Sequence, residues 1–140
     1  MSSSHIRARA TAAEGGQKRN LTYPPLPSAL VVSVYDNHTH LEIADGEEGL
    51  DYREQLDRAS SVGVKGVIQV GNDLETSRWS AEMAAREPRM LAAVAIHPNE
   101  APRYQLAGTL EAALAEIDEL AGRPRVRAVG ETGLDFFSHP

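Results

Sequence analysis

The sequence predicts an α/β fold built on a parallel sheet, and three observations predict it. Four short runs rich in Val, Ile and Ala, at residues 30–35, 65–70, 90–96 and 126–129, lack polar alternation, as strands covered on both faces do. Segments of helical periodicity separate them. Polar, chemically capable side chains follow each run at once, and the carboxyl ends of parallel strands are where such folds bind ligands.

Residues 1–29 are rich in Ser, Ala, Gly, Pro and basic side chains, with Tyr23-Pro24-Pro25-Leu26-Pro27 before the first run; they read as a disordered leader. His5 lies in this leader and is expected to play no part in a site. After the first run, Tyr52, Leu56, Ala59 and Gly63 follow helical spacing, and Gly63 is placed to stop that helix. Asn72 with Glu75 resembles a capping arrangement for a second helix over 74–87, which Pro88 closes. In the third helix Thr109 is the cap, and Leu110, Ala113, Leu114, Ile117, Leu120 and Ala121 share one face. Gly122 and Pro124 end it.

The order is β-α-β-α-β-α-β, which fits either a small open sheet or a (β/α)₈ barrel. A barrel takes roughly 250 residues. About 110 follow the leader, and the sequence stops eleven residues past a strand, at Ser138-His139-Pro140. Residues 30–140 are therefore read as the first half of a TIM-type barrel, strands one to four. Half a barrel leaves strands one and four as unpaired edges, so the chain alone is expected to aggregate or to dimerise.

Composition narrows the function. Apolar residues make up 41% and charged residues 24%, and no run is long enough to span a bilayer. The start has no apolar signal core, and there is no cysteine, so disulfide and thiolate chemistry are excluded. Both features fit the cytoplasm. The net charge is −6, with +3 in residues 1–29 and −9 in residues 30–140. That acidity argues against a large phosphate-binding surface, but it leaves room for a nucleic-acid substrate met locally by divalent cations.

Asp36-Asn37-His38-Thr39-His40 carries the chemistry. Residues two apart on an extended strand project to one side, so two imidazoles and a carboxylate are delivered together. His38 and His40 are the first candidate metal ligands. Glu131, flanked by Gly130 and Gly133, is the third, with helix capping as its structural alternative. His97, fixed as extended by Pro98, either contacts substrate or is a structural histidine at a strand end. Asp36 is expected to orient a ligand histidine or satisfy backbone donors, and Glu42 and Asp135 to support the site from outside. His139 carries no interpretation. Two histidines and a glutamate can hold one metal with open positions; a two-metal clamp needs further ligands.

These motifs have a family resemblance. Asp36-Asn-His-Thr-His-Leu, Gly66-Val-Ile-Gln-Val-Gly71, Ala93-Val-Ala-Ile-His-Pro98 and Ala128-Val-Gly-Glu-Thr-Gly-Leu-Asp-Phe-Phe137 stand in the order and spacing of the TatD family of metal-dependent hydrolases, relatives of the amidohydrolases. The resemblance covers residues 34–137. It implies a TIM-type barrel with a divalent centre at its mouth (Mg, Mn or Zn, two cations in a complete site) and hydrolysis of DNA phosphodiesters by metal-activated water. His38 and His40 resemble the family's first ligands, Glu131 its metal-bridging carboxylate, and His97 a histidine lining the substrate site. Glu42 stands where the family usually has Asp. The family completes its site with two histidines and an aspartate on later strands, beyond Pro140, so the 140-residue chain alone is expected to be inactive. The other readings are a C–N or ester hydrolase of the amidohydrolase type, and a truncated product without activity.

Overall fold

A computed structural model of the chain describes residues 24–43 and 50–135. The elements run β1 (Val34–Thr39), α1 (Tyr52–Ser61), β2 (Val64–Val70), α2 (Leu74–Arg86), β3 (Met90–Val94), α3 (Ala101–Leu106), α4 (Leu110–Ala121) and β4 (Val126–Val129). The four strands form one sheet in the order β1-β2-β3-β4, and every pair is parallel. A doubly wound sheet reverses its strand order at a switch point and carries helices on both faces. Here the order never reverses. Helix α2 packs on β2 and β3 and touches α4, which packs on β3 and β4, so these helices form one layer. This is an arc of a TIM-type barrel.

The core lies between sheet and helix layer, where Leu56, Ala81, Ala84, Met90, Val94, Ile117, Leu120 and Val126 are buried together. Helices α1 and α2 begin at side-chain caps, whereas Glu100 before α3 and Thr109 before α4, the cap expected from the sequence, make no capping hydrogen bond. Asp51 accepts from the Arg53 and Glu54 backbone at 2.7 and 3.0 Å, and Glu54 reaches back to the Asp51 N–H. Gly63, just past α1, has φ +103°, and a Cβ there would meet Leu30 Cβ at 3.1 Å. The α2 cap is Asp73 with Thr76, one residue on from the Asn72–Glu75 pair the sequence suggested. The Asn72 carbonyl instead accepts from His97 N–H at 2.7 Å, which ties two strand ends together. Gly71 lets β2 run against α2: a Cβ on it would lie 2.5 Å from Ser77 Cα. Trp79 of α2 stands edge-to-face against Tyr52 of α1, with centroids 5.6 Å apart.

Three expectations need correction. The first strand is not residues 30–35 but Val34–Thr39, because β2 begins at Val64 and offers no ladder partner to residues 30–33. The outer strands are not covered on both faces: Tyr35 is 74% and Val129 59% exposed, since β1 and β4 each have a single neighbour. On α4, Leu114 faces outward while Ala113, Ile117 and Leu120 are buried. Helix α3, with a proline in its first turn, was not anticipated. Of the expected leader, residues 24–29 are exposed coil; residues 1–23, with His5, lie outside the described residues, as do His139 and Phe136-Phe137.

At the amino ends of β3 and β4 the charges are paired. Buried Glu87 takes the Arg89 guanidinium at 2.9 and 3.0 Å, and Arg89 also reaches Asp57 at 2.7 Å. Arg125, held at φ +70°, donates to the carbonyls of Pro88 and Met90 at 2.7 Å. Arg89 pulls the Glu87 carboxyl down to about 2, mainly by hydrogen bonding and against the upward push of burial.

Candidate metal centre

His38 lies near the end of β1 and His40 just beyond it, on the same side of the extended chain. Their Nε2 atoms are 3.2 Å apart, and Glu131 Oε2, arriving from the loop after β4, is 3.8 Å from His38 Nε2. One ligand atom from each of His38, His40 and Glu131 can be chosen so that all lie within 4.8 Å of one another. Ligands bonded at ~2.0 Å around a tetrahedral ion sit about 3.3 Å apart, so the observed spacings bracket what a divalent cation requires. The donor set, two imidazoles and a carboxylate, is also the right chemistry.

Across the 3.2 Å between them, one of the two Nε2 atoms donates and the other accepts. His40 Nδ1 is buried without a hydrogen bond and faces Glu42 Oε1 at 3.6 Å. Glu42, aided by the Val70 carbonyl and the Glu131 charge, holds the His40 imidazolium above its ordinary range; burial opposes this. Glu42 is in turn held by the side-chain amide of Gln69, a fully buried residue of β2. Gln69 is the site-adjacent residue that the sequence reading passed over. The only signal was an amide inside an otherwise apolar strand run.

The remaining candidates divide. His97, after β3, places Nε2 3.9 Å from Glu131 Oε2, while its Nδ1 accepts from the Asn99 N–H at 3.1 Å. A neutral ring bonded in this way carries its proton on Nε2, so it presents a donor to the centre and not a lone pair. Asp36 accepts from the His38 backbone N–H at 3.1 Å and so fixes the turn of chain that carries the ligand. Asp135 accepts from Asn99 Nδ2 at 3.0 Å and tethers the loop after β4 to the loop after β3.

Comparison with known proteins agrees with this architecture. The family described as "TatD related DNase" matches residues 35–140. A Mycobacterium tuberculosis protein named "Uncharacterized metal-dependent hydrolase TatD" is 40% identical over 102 residues, covering 73% of this chain and 37% of that protein. Proteins named "3'-5' ssDNA/RNA exonuclease TatD" from Escherichia fergusonii and Salmonella typhimurium are 37% and 33% identical over 93 residues, 64% of this chain and 34% of each relative. The chain thus spans about a third of the length of these curated relatives.

Proposed function

The chain belongs to the family of TatD-related DNases, and from that premise we propose that residues 30–140 are the N-terminal half of a metal-dependent nuclease barrel that hydrolyses DNA phosphodiester bonds in the cytoplasm. The observation that carries this is the convergence of His38, His40 and Glu131 from opposite edges of the sheet onto one point. Residues so far apart in sequence meet there because parallel strands all present their carboxyl ends on one side.

His38 Nε2, His40 Nε2 and Glu131 Oε2 would hold a divalent cation; Mg, Mn and Zn all remain candidates. When bound, such an ion acidifies water and polarises a phosphoryl oxygen. Glu131 shares its carboxylate between the histidine cluster and His97. His97 Nε2–H then stands ready to donate to a non-bridging phosphate oxygen as charge develops on it. Asp36 holds the backbone that carries His38, and Glu42 stands 3.6 Å from the His40 ring. A second cation of a complete site needs ligands beyond these three. The names of the relatives favour a nucleic-acid substrate over an amide or ester, and cations at the mouth would offset the acidity of the body.

Titration calorimetry with Mn²⁺ or Zn²⁺ tests the assignment. One site per chain is expected, abolished by His38→Ala and by Glu131→Ala. Metal binding indifferent to both substitutions would sink it. Incubation with single-stranded DNA and metal then asks for nucleotide release, for which the complete barrel is required; turnover confined to amides or esters would favour the C–N hydrolase reading. The exposed apolar side chains Val31, Val32, Tyr35 and Val129 at the sheet's edges predict self-association of the isolated chain. A concentration-independent monomer in sedimentation velocity would count against the half-barrel.

A further inference from the structure

We infer that Gln69 is a positioning residue for the candidate metal centre: its amide fixes the Glu42 carboxylate against His40 Nδ1, keeps the ring proton there, and leaves the His40 Nε2 lone pair facing His38 and Glu131. The inference rests on the metal-binding reading above and adds to it the group that sets the ligand's tautomer.

Gln69 is 0% exposed on a strand whose buried neighbours Val67 and Val70 are apolar. A buried amide without water must find its partners within the protein. Among the described residues, the hydrogen-bond partners of the Gln69 side chain all lie in the segment that carries His40. Gln69 Oε1 accepts from Leu41 N–H at 2.7 Å, with Thr39 Oγ1 at 3.5 Å, and Nε2 donates to Glu42 Oε2 in a short contact. The side chain therefore grips the chain on both sides of His40.

Two separable jobs are visible. The Oε1 contacts pin β1 and the turn after it to β2, which any buried acceptor of that length would do. The Nε2 contact has no such use. It occupies one oxygen of Glu42 and turns the other toward His40 Nδ1, 3.6 Å away. At 3.6 Å the two atoms stand just beyond hydrogen-bond distance; a carboxylate only accepts, so closing that gap places the imidazole proton on Nδ1 and the lone pair on Nε2. Ligating histidines are oriented in this way by a carboxylate behind them, and loss of that partner lowers metal affinity by about 10- to 100-fold.

The test is the His40 tautomer, read from long-range ¹H–¹⁵N correlations of the metal-free chain. The wild type should be Nδ1–H. In Glu42→Gln the new amide keeps its oxygen on Gln69 Nε2 and turns its NH₂ to His40 Nδ1, so the proton should move to Nε2 and Zn²⁺ affinity should fall about 10- to 100-fold. Gln69→Met keeps the volume and loses both jobs; it should give a tautomer mixture and an intermediate loss of affinity. Circular dichroism establishes that each variant is folded, and Glu42→Gln decides the question if Gln69→Met is not. An Nδ1–H ring in wild type and both variants would overturn the inference, because the proton would then sit there without help from Glu42 or Gln69. Failure of the wild type to bind Zn²⁺, with the tautomer still responding to Glu42→Gln, would remove the metal reading and leave the positioning role intact.

Discussion

At the amino ends of β3 and β4 each guanidinium is spent on carboxylates or carbonyls, whereas at the carboxyl ends of the same sheet two imidazoles and a carboxylate face one another. Arg89 is shared between Glu87 and Asp57, and Arg125 is spent on two carbonyls. At the other end, two imidazole nitrogens meet at 3.2 Å with a carboxylate 3.8 Å from one of them. Three of the four buried side-chain atoms without a hydrogen bond among the described residues lie there too: His40 Nδ1, Asn72 Oδ1 and Asn99 Oδ1. One chain has thus divided its polar residues between an end that stabilises the fold and an end that keeps binding capacity in reserve.

Substitutions at four positions probe that division. Gly71→Ala tests whether the carboxyl end is free of packing constraint; with Ser77 Cα 2.5 Å from the added Cβ, we expect a loss of about 3 kcal/mol in urea unfolding. His38→Ala should lower metal affinity at least 100-fold, about 2.7 kcal/mol, while the unfolding midpoint barely moves. A large loss of stability there would erase the contrast between the ends. Glu87→Ala should do the reverse, lowering stability by about 2 kcal/mol and leaving metal binding alone. Because the folded carboxyl of Glu87 lies near 2 against an ordinary 4.5, its contribution is present above about 4.5 and lost as the pH falls toward 2. Acid titration of stability should therefore be shallower in Glu87→Gln over that window. Asp51→Ala, which removes the α1 cap, should cost about 1 kcal/mol at any neutral pH.

Much of the site was legible because period and punctuation are local. The His38–His40 spacing and the Gly63 stop act within a few residues, and each appears where the sequence put it. What escaped depended on partners far away in sequence. The limits of β1 are set by where β2 begins, and the roles of Glu42 and Gln69 emerge only when residues 27 apart touch. The partner of Asp135 in the loop after β3, Asn99, lies 36 residues away and could not be read from the sequence. Strand exposure was misjudged for a similar reason: Val-rich composition reports the environment a strand suits, and β1 and β4 each have one neighbour.

The contact between Trp79 and Tyr52 has a practical consequence. The sequence contains one tryptophan, and it is half-buried in the helix layer, edge-on to a tyrosine of the adjacent helix. Emission excited at the red edge of the indole band therefore comes from a single place, the seam between α1 and α2. Loosening of that seam will shift the spectrum, while an ion seated among the strand-end imidazoles should leave it dark to the event. The molecule carries its own optical gauge of helix docking, separate from the calorimetric signal of its metal site.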